Sequence, residues 1–151
     1  MKEIPNKFLD IPDYNCFGCA PHNDAGLKLT FFDDNGTLIA IWKPDLRFAG
    51  YDNIVHGGVQ ATIIDEAAAW AVDAFHNKTV MTVNLNVNYH RPLTVSNGDI
   101  FAKAKILKMD VKYAEVSVEL YKDDGIVTTS GVVTFRIVSG KLAAKLFGSK
   151  E

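Results

Sequence analysis

Two spacings of apolar residues divide the chain. From Leu27 the pattern is that of strands: LKLTFFD, then Asp34-Asn35-Gly36, then TLIAIWK. Asn-Gly supplies the positive φ angles of a tight turn, so this stretch predicts a β-hairpin. Residues 44–55 read as a loop. From Gly57 to about Phe75 the sequence GGVQATIIDEAAAWAVDAF is rich in Ala and free of Pro. It is long enough for about five helical turns, and apolar nearly all round, as buried helices are. Strand spacing then returns. Val80 to His90 alternates, with Val83, Leu85, Val87 and Tyr89 on one face and Thr82, Asn84, Asn86, Asn88 and His90 on the other. FAKAKIL (101–107), YAEVSVELY (113–121) and IVTTSGVVTFRIV (126–138) predict three more strands, with Asp123-Asp124-Gly125 as a tight turn. A hairpin centred near Asp110 would set Lys105 opposite Glu115.

The resulting order is β-β-α-β-β-β-β, an α+β class. A single helix with an apolar circumference needs a sheet that curls around it, so the expected architecture is a curved antiparallel sheet wrapped around one long central helix. Its long strands leave edges, and pairing of two copies through an edge is one way to cover them. Residues 1–26, punctuated by Pro5, Pro12 and Pro21, are expected to form an irregular arm on a domain spanning 27–140. Residues 141–151 are expected to be a loosely held tail. No repeat or linker divides the chain, so one domain is expected overall.

Composition narrows the function classes. The 151 residues carry 16 Lys+Arg against 18 Asp+Glu, a net charge of −2. That balance argues against a nucleic-acid partner met through a basic face, and against a polybasic membrane anchor. No apolar run reaches the length of a spanning helix, and the first residues lack a signal-peptide core. With two cysteines and no disulfide framework, a cytoplasmic protein is expected.

Four groups of residues are candidates for chemistry. His56-Gly57-Gly58 stands where the loop meets the helix. Glycines there admit a close approach, and the unpaired N–H groups of a helix start suit a carbonyl oxygen becoming an oxyanion. The bland alternative is a tight loop-to-helix turn with His56 as its cap. On a helical wheel Glu66 and Asp73 fall together beside Thr62, as a solvated or salt-bridged edge would. Asp65 falls instead among Ala61, Ala68, Ala69 and Val72, where an unpaired carboxylate is costly and small neighbours leave room for a substrate. Asn84, Asn86 and Asn88 fit solvent or a subunit interface. Cys16-x-x-Cys19, with His22 nearby, lacks the four ligands of a structural zinc site and the strand-to-helix setting of a redox motif. Packed thiols are the expectation, a metal site shared between subunits the alternative; neither metal nor cofactor is expected.

NIVHGGVQATIIDEAAAWA followed by VNLNVNYHRPL resembles the hotdog-fold thioesterases, in particular the PaaI-like branch of the 4-hydroxybenzoyl-CoA thioesterase superfamily. Those proteins carry HGG, an acidic residue nine positions after the histidine, and a strand with a Tyr-x-x-Pro-like end. Cys16-Phe17-Gly18-Cys19 through Gly26-Leu27 resembles the N-terminal stretch of one group of them. The resemblance covers about residues 14–138 and implies hydrolysis of an acyl-CoA or a similar thioester. It assigns Asp65 as general base or nucleophile, Gly57 as backbone N–H donor to the oxyanion, and His56 as an orienting group. It matches Thr82 to a Ser or Thr beside the carboxylate. It further implies a homodimer, with Asp65 facing Gly57 of the partner subunit, and often a tetramer of two dimers.

Gly58, Asn53, His90 and Arg91 are the candidates for substrate binding, the last two for CoA phosphates, although an ordinary solvated strand end is the favoured reading of that pair. Some relatives carry an Asn six residues before the motif histidine. Here that position is Gly50, and Asn53 is out of register. Leu46, Phe48 and Tyr51 are expected near the acyl group. A non-catalytic acyl-CoA sensor is the alternative from another class, and a hotdog dehydratase a third.

Overall fold

The computed structural model describes residues 1–147. Seven strands form one antiparallel sheet: β1 (Lys2–Ile4), β2 (Thr30–Asp34), β3 (Thr37–Trp42), β4 (Val80–Tyr89), β5 (Ile100–Met109), β6 (Tyr113–Tyr121) and β7 (Val127–Ile137), in the order β1-β2-β3-β5-β6-β7-β4. The long helix α1 (Gly57–His76) packs against β3, β4, β5, β6 and β7, and a short helix α2 (Gly140–Phe147) follows the sheet. No helix among the described residues is long and apolar enough to cross a membrane. The sheet therefore curves around one central helix, as the apolar circumference of α1 demands.

Small residues allow the close contact. Ala67, Ala68 and Ala71 of α1 are fully buried, and so are Ala102 and Ala104 of β5. Gly131 of β7 is needed for space: a Cβ there would lie 3.0 Å from both the Asn86 carbonyl oxygen and the Ile64 side chain. Phe135, Leu120, Val116 and Trp42 fill the rest of the layer, every one of them almost wholly buried. The Asn35-Gly36 turn forms as expected, with φ of 53° and 85° at its two residues. At the other end of α1, Asn77 takes the left-handed conformation and its N–H caps the Asp73 carbonyl.

Four details differ from the sequence expectations. Residues 1–26 include β1, which pairs with β2 through Lys2↔Asp33 and Ile4↔Phe31. Lys7 fastens the same segment to the end of α1 through Asp73 at 2.8 Å and the Asn77 side chain at 3.1 Å. Beyond Gly140 the chain is helical as far as Phe147; residues 148–151, the rest of the expected tail, lie outside the described residues. Lys105 faces Ser117, not Glu115. A bulge between Ile106 and Lys108 shifts the register, and Lys108 pairs with Glu115 at 3.2 Å. A second bulge, between Thr82 and Asn84, breaks the alternation of β4. Because one extra residue reverses the parity of a strand, Thr82 leaves the Asn face. It stands opposite buried Phe135 and looks toward α1, as Leu85, Val87 and Tyr89 do.

Candidate active site

The first turn of α1 is organised around a single free donor. His56 is the N-cap, and its ring Nδ1 accepts from the Gly58 N–H at 2.9 Å. The N–H groups of Val59 and Gln60 both go to the His56 carbonyl. Among the described residues nothing accepts from the Gly57 N–H. Of the orphan donors of a helix start, it alone is left for a ligand. The Gly57 carbonyl is held from the opposite side by the Tyr89 hydroxyl at 2.7 Å. A Cβ at Gly58 would crowd the His56 ring at 3.1 Å, whereas one at Gly57 would meet only ordinary contacts. Packing within the chain accounts for the glycine at 58; at 57 it leaves open the approach to the N–H.

This turn borders a cavity of about 700 Å³, lined by Gly50, Tyr51, His56, Gly57 and Gln60 on one side and by Tyr89, His90 and Arg91 on the other. His90 shares a hydrogen bond with Ser130 at 2.7 Å, and the Arg91 N–H is anchored on the Thr128 carbonyl. Both side chains are exposed at the cavity. Gln60 is a residue that sequence reasoning passed over. It is buried, it donates to the Val55 carbonyl, and it accepts from the Thr129 hydroxyl at 2.5 Å. It fixes α1 against β7 beneath the cavity, and its only sequence signal is an amide on an apolar helix. Asn53 is not in the cavity lining. Its φ is 55°, and its amide clamps both the hydroxyl and the N–H of Ser96. Of the three loop residues expected near the acyl group only Tyr51 lines the cavity; Phe48 packs on Trp42, and Leu46 points to solvent.

Asp65 lies eight residues further along α1, roughly 12 Å away at 1.5 Å per residue. It is half-buried, and Thr82 donates its hydroxyl to Asp65 Oδ1 at 2.7 Å. The bulge in β4 makes that contact possible, because without it Thr82 would point to the other face. The structure thus joins Asp65 to Thr82, and His56 to Gly57, Gly58, His90 and Arg91. Within one chain it holds the two groups apart.

Glu66 departs from the expected solvated edge. It is half-buried, and its Oε1 accepts from the Cys16 thiol and from the Trp70 indole N–H, both at 3.2 Å. Only Asp73 keeps the salt-bridged role, with Lys7. Hydrogen bonding from Cys19 holds the Cys16 thiol below its ordinary pKa. The same pairing, with burial, pushes the Cys19 thiol far up. Burial likewise raises Tyr14, whose hydroxyl lies 2.8 Å from the Cys19 sulfur.

Residues 52–139 match the family model described as the thioesterase superfamily. The acyl-coenzyme A thioesterase THEM4 of Rattus norvegicus is 30% identical over 87 residues, which are 58% of this chain and 36% of that protein. This chain therefore spans only about a third of that curated relative. Among solved structures, the thioesterase superfamily protein RHA08564 aligns with a TM-score of 0.73 and 23% identity over 80% of this chain and 62% of the other. Thioesterase HI1161 of Haemophilus influenzae aligns with a TM-score of 0.68 and 17% identity over 75% of this chain and 80% of the other. These likenesses establish the hotdog fold, and with the match over residues 52–139 the chain belongs to the thioesterase superfamily.

Proposed function

We propose that this chain is an acyl-CoA thioesterase of the PaaI-like kind, working as a homodimer with two shared active sites. One observation carries the proposal: the carboxylate held by Thr82 and the free Gly57 N–H are roughly 12 Å apart on one helix. They cannot meet on one carbonyl within a chain. Strand β4, the edge of the sheet, offers the means to unite them. Nearly all its residues are exposed on both faces, including Met81, Val83, Leu85 and Tyr89, which invites pairing. Thr82, near one end of β4, adjoins Asp65, while Tyr89, at the other end, adjoins Gly57. Antiparallel pairing of β4 with its copy exchanges the ends. Asp65 of each chain then stands beside Gly57 of the partner subunit.

In that arrangement the thioester carbonyl accepts a hydrogen bond from the Gly57 N–H, reinforced by the positive end of the α1 dipole. Asp65 takes a proton from water as the water oxygen attacks the carbonyl carbon. The tetrahedral intermediate collapses by breaking the C–S bond, releasing CoA thiolate and the free acid. Thr82 occupies Oδ1 of the carboxylate and leaves Oδ2 to receive the proton. Should Asp65 attack the carbonyl directly, the C–S bond breaks with loss of CoA thiolate to leave an anhydride, and water attacking its Asp65 carbonyl in a single turnover in ¹⁸O-water would leave the label in Asp65. His90 and Arg91, at the cavity, supply donors for the CoA phosphates. The two thiols are free, which fits work in a reducing compartment such as the cytoplasm. Two such dimers joining through a further face would give the tetramer.

The test is a thiol-release assay over a panel of aromatic, short and medium aliphatic acyl-CoAs. Asp65→Asn should lower turnover on the best substrate by at least about 100-fold, the scale of general-base catalysis. Arg91→Ala should raise KM for acyl-CoA with little change in kcat. Binding of acyl-CoA by the wild type without release of CoA would instead establish the sensor reading.

A further inference from the structure

A second cluster of reactive side chains lies on the other side of α1, and thioester hydrolysis makes no use of it. Cys16 Sγ, Cys19 Sγ and a carboxylate oxygen of Glu66 all lie within 4.8 Å of one another. Tetrahedral zinc, with Zn–S near 2.3 Å and Zn–O near 2.1 Å, needs its ligand atoms roughly 3.5–4 Å apart, so small side-chain adjustments suffice. The backbone is already shaped for this. The Cys19 N–H donates to Cys16 Sγ at 3.1 Å, and the Ala20 N–H closes the turn on the Cys16 carbonyl at 3.0 Å. The Leu27 and Leu29 N–H groups pin the Phe17 and Gly18 carbonyls, so the loop between the cysteines is fixed at each residue.

Two features connect the loop specifically to Glu66. Gly18 is buried, and a Cβ on it would lie 2.7 Å from the Glu66 side chain. The glycine is therefore a cradle for the carboxylate between the two sulfurs. Trp70 donates its indole N–H to Glu66 Oε1 and orients it, as groups behind a metal ligand do. His22 is not part of the set, because its ring is engaged with the Tyr14 carbonyl at 2.6 Å. A cavity of about 240 Å³, lined among others by Phe8, Trp70 and Lys78, reaches both sulfurs and Glu66. It can supply a water as fourth ligand, and the Tyr14 hydroxyl beside Cys19 is the alternative donor.

We propose that Cys16, Cys19 and Glu66 form a binding site for a thiophilic divalent cation, zinc foremost, which pins the N-terminal segment to α1. The donor set distinguishes this from a reactive dithiol. The carboxylate set beside the two sulfurs is a third ligand atom, for which disulfide exchange has no use. Around a divalent cation the same three groups supply three negative charges to two positive ones, and thiolate ligands select zinc over magnesium or calcium.

The experiment is a titration of the reduced, chelator-treated full chain with cobalt(II). Wild type should develop the thiolate-to-cobalt charge-transfer band and the visible bands of tetrahedral coordination, saturating at one equivalent per chain and bleached by zinc. Cys16→Ser and Glu66→Gln should each weaken zinc binding by at least about 100-fold, the upper end of what even supporting groups contribute. Gly18→Ala keeps all three ligands but crowds Glu66, and should weaken binding by about 10-fold. Circular dichroism of each variant checks its fold, while the wild-type titration decides the matter without any variant. The proposal is overturned if folded, reduced wild type gives no thiolate band or saturates far below one equivalent. It is equally overturned if Glu66→Gln, folded, binds as tightly as wild type. None of these readouts depends on hydrolysis.

Discussion

Asp65 and Glu66 are neighbours on one helix, yet they belong to different parts of the molecule. A rotation of about 100° per residue separates them. Asp65 turns toward β4, an exposed edge strand, and is held by one hydroxyl from a bulge. Glu66 turns toward the N-terminal segment, where a thiol and an indole donate to it and a glycine makes room for it. The surroundings of Glu66 are complete within the chain: β1, Lys7 and the loop around Cys16 fasten the cover down. Those of Asp65 border β4, whose residues are nearly all exposed, and in the proposed dimer a second copy completes them. A carboxylate is costly to place among apolar groups without partners, and the two positions meet that cost differently. One uses groups of its own chain, and the other remains half-buried where a substrate and a second subunit can arrive.

The sharpest way to break this comparison is to divide the proposed shared site between chains. Asp65→Asn and Gly57→Val should each abolish thioester hydrolysis alone. Mixed in equal amounts and allowed to exchange subunits, they should regain about a quarter of wild-type activity. Half of the dimers are then mixed, and one site in each mixed dimer carries both native groups. A mixture as inactive as its components would show that Asp65 and Gly57 do not meet across a dimer interface. The regain is read against near-zero backgrounds, which makes it the largest effect expected.

The Glu66 side should reveal itself in stability. Trp70 is buried and stacks on Phe31 with ring centroids 4.2 Å apart. Trp70→Phe preserves that stacking but removes the N–H that Glu66 accepts, at an expected cost of about 1–3 kcal/mol for a polar group left short of a partner. Urea melts should show this loss, whereas Asp65→Asn should melt at or above wild type because it removes a charge from a half-buried position among apolar groups. The reverse order of stabilities would overturn the division of labour. Smaller still is the contribution of Thr82. Thr82→Val keeps the shape and removes the hydrogen bond to Asp65, so kcat should fall by about 10-fold, equivalent to about 1.4 kcal/mol. KM should change little.

Much of this was legible beforehand, and what was not has identifiable causes. The helix from Gly57, the succession of elements from β2 to β7 along the chain and the separation of Asp65 from Glu66 all follow from residue spacing, which is local. The resemblance puts Thr82 beside the carboxylate, where its hydrogen bond to Asp65 is found, whereas residue alternation assigns it to the wrong face. A single extra residue at Val83 leaves the apparent alternation intact and reverses the true one. The Lys108–Glu115 pair was hidden by the same kind of bulge. Strand β1 is three residues long, too short to show a period. The wheel places Glu66 correctly but gives it the wrong surroundings. A wheel tells which way a side chain points, not that a loop fifty residues earlier will lie over it. Cys16 and Glu66 meet only through the fold.

One further variant tests whether the expected effect of Thr82→Val is specific. Asp110 stands at the β5–β6 turn and is not part of the surroundings of either Asp65 or Glu66. Its Oδ1 accepts from the N–H groups of Lys112 and Tyr113 at 2.7 and 2.8 Å. These bonds, that from Tyr113 foremost, hold its carboxyl below the ordinary carboxylate range. A depressed pKa in the folded state means that the contribution is fully present above the unfolded value, about 3.9, and is lost as pH falls through the lower folded value. Asp110→Ala should therefore melt slightly below wild type at pH 7. The gap should narrow as pH drops below about 4. Hydrolysis at pH 7 should be unaffected, because the turn touches neither the carboxylate nor the free N–H. If Asp110→Ala lowered kcat as much as Thr82→Val does, both would be reporting a general loosening of the sheet. If only Thr82→Val lowers it, the hydroxyl on the bulge acts through Asp65.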